Sequence, residues 1–315
     1  MVEKSDNIFP KVFILVLSYN GKKLLDDCLS SYLQSDYYNQ EVIVIDNGST
    51  DGTKEYVEEC YPLVTVIRLE KNRGYSGGLN FGLEYAFKRN NADNVLITNN
   101  DVKADDKVVS ELVKIARRDE KIGFVTGKVY YFDQPEILQT VGKKEDPVKW
   151  NGGHIGNKEK DTGQYDEIKE RFFADDIFML VSKQLYFDTG GYDTTFKFQS
   201  EEFDWQARAK KKGYKIYYTP FAKIWHKDSM TIGKRSAFKS YYDSRNPMIV
   251  ILKHKSAEFF RRYFWQHFIN SILRQSISVV IKSFEIKKAF KIWQGFMSGL
   301  IWGFRNKKFT LKHFI

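Results

Sequence analysis

The chain has 315 residues, 42% of them hydrophobic, and a formal net charge of +10. This length supports a large domain with a real core, and the two cysteines, Cys28 and Cys60, exclude a disulfide-built scaffold and favour a reducing compartment. The polar start, Met1 to Asp6, predicts no signal peptide, and the lack of 18 consecutive apolar residues predicts no spanning helix.

Strand and helix patterns alternate along the first half of the chain. Strands are predicted over Val12–Leu17, Val42–Ile45, Val64–Leu69 and Val95–Thr98. Helices are predicted over Lys22–Leu33, Thr53–Cys60, Gly77–Arg89 and Asp105–Arg117. This alternation is typical of a parallel α/β sheet, in which ligands bind beyond the carboxyl ends of the strands.

The second half is less regular. The Gly-, Lys- and Asp-rich segment Tyr130–Arg171 predicts loops or a hairpin insertion that covers a site. An apolar stretch at Phe178–Val181 and a turn at Gly190–Asp193 follow it. The remaining predictions are a helix over Glu201–Lys212 and a strand over Lys215–Tyr218.

Polar motifs follow three of the predicted strands: Ser18-Tyr19-Asn20, Asp46-Asn47-Gly48-Ser49 and Asn99-Asn100-Asp101. Asp46 comes directly after a strand, where a carboxylate can accept hydrogen bonds from a nucleobase or a ribose. The alternative for the following residues is a turn and a helix cap, which accounts well for Thr50, Asp51 and Gly52. For Asp46 itself, the position favours the functional interpretation.

The segment from Asn72 to Asn80 is a glycine-rich entry to a helix. Glycines let the backbone approach a ligand, and a helix N-terminus favours anions, but the pattern is neither a Walker loop nor a dinucleotide fingerprint. Asp101 offers a carboxylate to a hard cation, and Asn99 an amide oxygen or a water contact; the alternative is an Asx turn. His226 is a further candidate ligand, although a lone histidine beside an apolar segment is more often structural.

Two further motifs carry possible chemistry. Glu201 and Glu202 open a helix with Asp204, where acids stabilise the helix dipole or, alternatively, one acid acts as a general base. Arg245 offers a forked donor set to a phosphate, and the alternative is a surface salt bridge.

Taken in this order, the motifs resemble family 2 glycosyltransferases with the GT-A fold, over roughly Val12 to Asn246. The strand end at Asp46, the glycine-rich segment, Asn99-Asn100-Asp101-Val102 in place of a DXD motif, the Gly190-Asp193 turn, Glu201-Glu202-Phe203-Asp204 and Trp225-His226 carry the resemblance. It implies a mixed, mainly parallel α/β sheet with helices on both faces over residues 1–246.

The resemblance also implies roles for individual residues. Glu202 would be the general base of an inverting displacement, and Asp101 and His226 would hold Mg²⁺ or Mn²⁺ on the diphosphate of a nucleotide-sugar donor. Donor-binding residues would be Ser18, Tyr19, Asn20, Asp46, Ser49, Asn72, Gly74, Gly77, Asn80, Asn99, Asn100 and Arg245. Acceptor-binding residues would be Asp175, Asp176, Glu201 and Asp204.

Two departures from the family pattern matter. Asn99 stands where the first DXD aspartate belongs, which weakens metal affinity; the NNDV form resembles the bacterial rhamnosyltransferase branch and favours dTDP-rhamnose over UDP-hexoses. Asp175 and Asp176 stand where members usually carry a small residue.

The last 69 residues, 247–315, hold 13 Lys and Arg and two acidic residues, whereas the rest of the chain is nearly balanced. Their helical pattern interleaves Phe and Trp with these basic residues, which favours an anionic membrane surface. Self-association ranks second and is compatible with it; nucleic-acid binding is distant, and no nucleic acid is expected as a partner.

The sequence therefore predicts a cytoplasmic enzyme, peripheral on the inner face of the cell membrane, that moves a sugar to a lipid-linked or polysaccharide acceptor in cell-envelope glycan synthesis. One alternative is a nucleotidyltransferase, which usually has a basic glycine-rich loop after its first strand; Ser18-Tyr19-Asn20-Gly21 disfavours it. The other is a non-catalytic sugar-nucleotide-binding protein, which would lose the base, yet Glu202 is present.

Overall fold

The computed structural model describes residues 9–227, 236–306 and 308–310 of the chain. The chain divides into two compact units. Unit 1 comprises Met1–Lys144, Gly153–Lys197 and Arg208–Asp228; unit 2 comprises Glu145–Gly152, Phe198–Ala207 and Ser229–Ile315. The predictions for Met1 to Asp6 and for the last five residues lie outside the described residues.

Unit 1 is built on a mixed sheet of ten strands among the described residues, in the order β10-β12-β6-β11-β4-β1-β2-β3, with β5 paired to β12 and β7 to β6. Their bounds are β1 Val12–Ser18, β2 Gln40–Asp46, β3 Thr65–Arg68, β4 Asn94–Asn99, β5 Val102–Ala104, β6 Ile122–Tyr131, β7 Gln134–Thr140, β10 Lys169–Glu170, β11 Phe178–Ser182 and β12 Lys215–His226. A separate ribbon pairs β8, Lys143–Asp146, with β9, Trp150–His154. Strands β1 to β4 run parallel, whereas β11 is antiparallel to both of its neighbours.

Helices cover both faces of this sheet. They are α1 Leu25–Leu33, α2 Thr53–Cys60, α3 Gly74–Glu84, α4 Val108–Ala116 and α5 Lys183–Thr189. Strand β1 is apolar up to Leu17, as suits a strand buried on both sides: Ile14 joins the core that contains α1, and Leu15 points to the other face, where it lies against Gly82 of α3.

The register of the parallel strands brings their carboxyl ends to one edge. Ser18 of β1 lies beside Asp46 of β2, and Leu17 lies beside Asn99 of β4. Strand β12 adds a further end to this region because His226 pairs with Val102 of β5, directly after Asp101. The predicted motifs at the strand ends thus meet where ligands bind in open α/β sheets.

Unit 2 is mainly helical. Helix α6, Glu201–Lys211, begins in unit 2 and ends in unit 1, and is followed in unit 2 by α7 Ala237–His254, α8 Ala257–Gln266, α9 Gln275–Ser283 and α10 Ile286–Arg305, with a π-helical segment at His267–Arg274. Helix α10 packs closely on α7 because Gly295 has no side chain: a Cβ there would lie 2.1 Å from the carbonyl oxygen of Tyr241. No helix within the described ranges is long and apolar enough to cross a membrane.

Most predicted elements are confirmed, with differences at their ends. The predicted strand Lys215–Tyr218 continues to His226, and the predicted helix at Gly77 already begins at Gly74. The segment Tyr130–Arg171 holds the β7 strand and the β8–β9 ribbon, so the hairpin alternative is confirmed. The proposed division after Asn246 falls inside helix α7 and stays a prediction about function.

Candidate active site

Asp46 lies at the end of β2 with its side chain only 1% exposed. Its Oδ1 accepts a hydrogen bond from the backbone N–H of Ser49 at 2.8 Å. Its Oδ2 is buried without a hydrogen-bond partner among the described residues, and the Nε of the partly exposed Arg68 lies 3.8 Å away. Because a buried carboxylate oxygen without a hydrogen bond is costly, a ligand N–H that replaced Arg68 here would be favourable.

The loop after β1 is tied to the loop after β2. Asn20, in the left-handed region at φ +50°, donates its backbone N–H to Ser49 Oγ at 2.9 Å and accepts from the Thr50 N–H at 2.8 Å. Ser18 is buried, and its Oγ accepts from the Asn100 amide at 3.3 Å. Tyr19 and Asn20 are exposed, and Tyr19 presents the motif's aromatic side chain to the surroundings.

The glycine-rich segment is held by amide side chains. Asn72 Oδ1 accepts from the Gly74 N–H at 2.7 Å and from the Asn47 amide at 3.2 Å. A Cβ on Gly77 would lie 2.9 Å from the Cβ of Arg73, so this turn of the helix needs a glycine there. These contacts shape the loop and leave the predicted donor roles of Asn72, Gly74 and Gly77 as predictions.

Asn80 has a different environment from the one expected for a donor-binding residue. Its Nδ2 donates to the carbonyl oxygen of Tyr192 at 2.8 Å, and its Oδ1 accepts from the Tyr192 N–H at the same distance. This reciprocal pair holds the Gly190–Asp193 turn against α3. Both ends of the Asn80 amide are thus used to position the turn, and its expected donor-binding role stays a prediction.

The two predicted metal ligands lie together. His226 Nε2 is 3.1 Å from Asp101 Oδ1, and both side chains are nearly buried. The other ring nitrogen, Nδ1, contacts Gln139 Oε1 at 2.9 Å, an arrangement in which Nδ1 can carry the ring proton. A ring nitrogen and a carboxylate oxygen as close as Nε2 and Oδ1 share either a hydrogen bond or a cation.

The separation of these two atoms fits a bound divalent cation. Neighbouring ligands of an octahedral ion, each at about 2.1 Å, are about 3.0 Å apart. Gln139 supplies the outer hydrogen bond that usually fixes the ring of a metal-binding histidine. Asn99, by contrast, accepts from the Tyr75 hydroxyl at 3.5 Å, and Asn100 is bonded to Ser18, so this fit rests on Asp101 and His226.

Asp175 is bound in a buried ion cluster. Its Oδ1 lies 2.7 Å from Lys143 Nζ, and its Oδ2 lies 2.9 Å from His154 Nδ1. Burial alone raises the pKa of Asp175, but Lys143 and His154 hold it well below its usual value. Asp176, which accepts from the Tyr192 hydroxyl at 3.2 Å, is half-buried. Protein groups engage both carboxylates, and the acceptor roles expected for Asp175 and Asp176 stay predictions.

The remaining predicted residues lie in unit 2, at the start of α6 and on α7. Glu201 is buried and Glu202 is half-buried, so the two adjacent acids differ as expected. Asp204 is 0% exposed and lies 2.5 Å from Lys253 Nζ and 2.8 Å from His254 Nε2. A fully buried, doubly paired carboxylate anchors the helix, and the acceptor role expected for Asp204 stays a prediction.

Arg245 is engaged within unit 2. Its Nη1 donates to Asn246 Oδ1 at 2.7 Å and its Nε to Ser298 Oγ at 3.3 Å. Asn246, Gln139 and Lys143 contact predicted site residues but were not predicted to do so. The polar run that contains Arg245 could have indicated Asn246, whereas Gln139 and Lys143 lie in an irregular segment with no recognisable motif.

Comparisons with known proteins agree with this geometry. A family model described as glycosyl transferase family 2 matches residues 13–185, more than half of the chain. The poly-beta-1,6-N-acetyl-D-glucosamine synthase of Staphylococcus aureus (strain COL) is 27% identical over 225 residues, covering 70% of this chain and 51% of that protein. The same enzyme of Staphylococcus epidermidis is 27% identical over 226 residues, with the same coverage. The chain thus spans about half the length of these curated relatives.

Solved structures share the fold. S. aureus TarS 1–349 has a TM-score of 0.55 at 15% identity, covering 92% of this chain and 80% of that one. A mannosyltransferase from Pyrobaculum calidifontis, in complex with GDP-Man and Mn²⁺, has a TM-score of 0.50 at 18% identity, covering 94% and 76%. GalNAc-T7 with UDP, GalNAc and Mn²⁺ has a TM-score of 0.57 at 15% identity, covering 88% and 58%. At these identities the likeness establishes a common fold alone, the mixed α/β fold of GT-A enzymes.

Proposed function

The chain belongs to glycosyl transferase family 2, and from this premise we propose that it transfers a sugar, with inversion, from a nucleotide-diphosphate donor to a lipid-linked or polysaccharide acceptor. The observation that carries the proposal is the Asp101–His226 pair at 3.1 Å, at the edge of the sheet where Asp46 ends β2. A nucleotide-diphosphate needs a counter-charge and a base contact within one pocket, and the strand ends of unit 1 offer candidates for both.

In this proposal, Asp46 accepts a hydrogen bond from a ring N–H of the nucleobase. Asp101 and His226 hold Mg²⁺ or Mn²⁺, which when bound neutralises the charge of the departing diphosphate. Two of the structural neighbours are complexes that contain Mn²⁺. Gln139 keeps the His226 ring in the tautomer that offers Nε2 to the ion.

Glu202 is the proposed general base. Its carboxylate takes the proton of the acceptor hydroxyl while the hydroxyl oxygen forms a bond to the anomeric carbon. At the same time, the bond between that carbon and the donor phosphate oxygen breaks, and the nucleoside diphosphate leaves. Resemblance supports this role, together with the half-buried position of Glu202 in the first turn of α6, next to the fully engaged Asp204.

For the donor, we propose dTDP-rhamnose first and a UDP-hexose second. The Asn99-Asn100-Asp101-Val102 form supports rhamnose, and thymine and uracil both have a ring N–H that Asp46 can bind. The similar proteins do not narrow the choice of donor, because they include a poly-N-acetylglucosamine synthase, a complex with GDP-Man and a complex with UDP and GalNAc.

We also propose that the chain works on the inner face of the cell membrane, attached there through unit 2. Helices α9 and α10 and the turn between them carry large apolar side chains at the surface: Ile277, Ile281, Phe284, Ile286 and Phe290, with Phe284, in the turn, 85% exposed. Lys287, Lys288 and Lys291 lie among them in α10, and each basic residue near an anionic surface contributes about 1 kcal/mol. Exposed aromatic and basic residues on one helix pair suit a lipid interface.

Flotation with vesicles that contain anionic lipid tests the attachment. The full chain should float, and Phe284→Ser combined with Phe290→Ser should sink, because both side chains are exposed and their loss does not damage a core. Leu63→Ser with Phe221→Ser, which removes two exposed apolar side chains of unit 1, is the matched control. Equal flotation of all three proteins would reject attachment through these side chains. If the full chain does not float but its molecular mass in solution rises with protein concentration, self-association would be favoured instead.

A donor screen tests the enzymatic proposal. Thermal shift with Mn²⁺ and UDP-, dTDP- and GDP-sugars identifies the donor, and product analysis then separates the candidate functions. A glycosyltransferase releases a nucleoside diphosphate, a nucleotidyltransferase forms or consumes pyrophosphate, and a non-catalytic protein binds without turnover. Glu202→Gln should keep donor binding and lose transfer; retained transfer would reject the base assignment.

A further inference from the structure

The backbone directly before α6 has an unusual conformation. Gln199 and Ser200 both lie in the left-handed region, at φ +64° and +69°. Non-glycine residues adopt this region at a cost, and two in succession persist only where the surroundings hold them. Glu201 and Glu202 follow at once, so the direction of these side chains depends on this strained pair.

The side chain of Asn246 holds the strained pair. It is 0% exposed, and its Nδ2 donates to the carbonyl oxygens of Phe198 at 2.7 Å and Gln199 at 2.8 Å. Both N–H groups of the amide are thus used on consecutive carbonyls. Its Oδ1 accepts from Arg245 Nη1 at 2.7 Å, which fixes which end of the amide faces the carbonyls.

We call the hydrogen bonds that Asn246 and Arg245 make at the start of α6 the clamp. The clamp extends to Ser298 of α10, and a second set of contacts holds α6 at Asp204. Ser298 Oγ accepts from Arg245 Nε at 3.3 Å and from the Tyr241 hydroxyl at 2.9 Å. At the other side of the two glutamates, Asp204 is paired with Lys253 and His254. Residues of helix α7 therefore bind the chain on both sides of Glu201 and Glu202: Asn246 before them, and Lys253 and His254 after them.

We propose that Asn246 is a positioning residue that fixes the Glu202 carboxylate by holding Gln199 and Ser200 in the left-handed region. Arg245 acts by orienting the Asn246 amide, in place of the phosphate contact that the sequence suggested. The inference rests on the proposed function, in which Glu202 is the base. A base must be placed closely, and a displacement of about 1 Å costs roughly 10²-fold in rate.

Asn246→Asp tests the clamp with little change in volume. It replaces the donating Nδ2 with an oxygen that faces two carbonyl oxygens, so the segment should leave its conformation. We expect kcat to fall about 10²-fold with the donor KM within about twofold of wild type, and the acidic limb of the pH–rate profile to shift. The matched control is Ser244→Ala: this buried side chain on the same helix donates to the Ser240 carbonyl oxygen, and its loss should leave kcat unchanged.

Arg245→Met separates the two roles of the arginine. If Arg245 orients Asn246, kcat falls and the donor KM stays; if it holds the donor phosphate, the donor KM rises, and that result would overturn this part of the inference. Gln199→Gly is a rescue test, because glycine adopts the left-handed region freely. Added to Asn246→Ala, it should restore part of kcat, whereas a packing defect would not respond.

The outcomes separate the inference from the proposed function. If wild type transfers sugar and Glu202→Gln does not, but Asn246→Asp matches wild type in kcat and pH profile, the clamp is wrong and the proposed function stands. If Glu202→Gln keeps transfer, the base assignment fails first. If Asn246→Asp does not fold, Gln199→Gly in the wild-type chain tests the clamp instead. Relief of the backbone strain at residue 199 should raise the melting temperature, and a lower melting temperature would contradict the clamp.

Discussion

At Gly295 of α10, a single added methyl group should destabilise the packing of two helices. A Cβ at this position would lie 2.1 Å from the carbonyl oxygen of Tyr241 and 3.0 Å from its carbonyl carbon. Ordinary contacts between carbon and a carbonyl oxygen are about 3.3–3.6 Å long, so in Gly295→Ala the two helices must separate by about 1 Å. The obstacle is backbone, which cannot rotate away as a side chain can.

Two effects oppose each other in this variant. Replacing glycine by alanine inside a helix favours folding by about 0.5–1 kcal/mol. Overpacking a tight contact costs about 1–3 kcal/mol. We therefore expect a net loss of about 1–2 kcal/mol in the free energy of unfolding, and a lower kcat, because Ser298 moves off Arg245 when α10 withdraws.

Urea unfolding followed by circular dichroism measures the loss, and Gly299→Ala provides the comparison. A Cβ at Gly299 would meet the terminal methyl of Met248 at 2.5 Å, which can swing away, and the Arg245 carbonyl oxygen at 3.2 Å. Its destabilisation should be clearly smaller. If Gly295→Ala instead gained the stability that helix propensity alone predicts, the close packing of α7 and α10 would be refuted.

Three further predictions concern ionisable groups. Asp46→Asn should weaken UDP or dTDP binding about 10- to 100-fold in calorimetry, since a hydrogen bond to a charged acceptor contributes about 1.5–3 kcal/mol. An unchanged Kd would show that the nucleobase does not bind Asp46. His226→Ala should raise the Kd for Mn²⁺ by more than about tenfold in a calorimetric titration, and equal affinity would exclude His226 as a ligand. Burial lowers the pKa of His267 to about 4, from 6.5, so its contribution to stability is present above pH 6.5 and is lost as the pH falls toward 4. When the pH falls from 7 to 5, the free energy of unfolding measured in urea should decrease by about 2 kcal/mol more in the wild type than in His267→Phe. Equal decreases in the two proteins would contradict this prediction.

The parallel part of the fold follows from the sequence because its strands are buried on both faces. Val12–Leu17 and Val95–Thr98 are continuous apolar runs, a pattern that surface strands do not have. Helix α7 was harder to predict, since Pro247 lies inside it and its first half is polar. Tertiary contacts stabilise that helix, and a local pattern does not contain them.

In the candidate site, too, some residues could be predicted from the sequence and others could not. Asp101 and His226 were predicted as a pair and lie as one, because strand ends meet wherever the strands do. Asn80, Asp175 and Asp204 were expected to contact ligands, yet each is bound to protein groups. Such pairing depends on partners distant in the chain, so residue type at a strand or helix end predicts polarity there but not its use.

The pairing of β12 with β5 has a consequence for how the protein matures. Asp101 is made early in synthesis and His226 much later, and they become neighbours only when the last strand of unit 1 enters the sheet beside β6. If these two residues bind the divalent ion as proposed, a nascent or partly folded chain has no site for it, and affinity for the ion rises together with completion of the sheet. Metal loading would act as an internal check that synthesis and folding of unit 1 are finished, and the bound ion would in turn shift the balance against its unfolding.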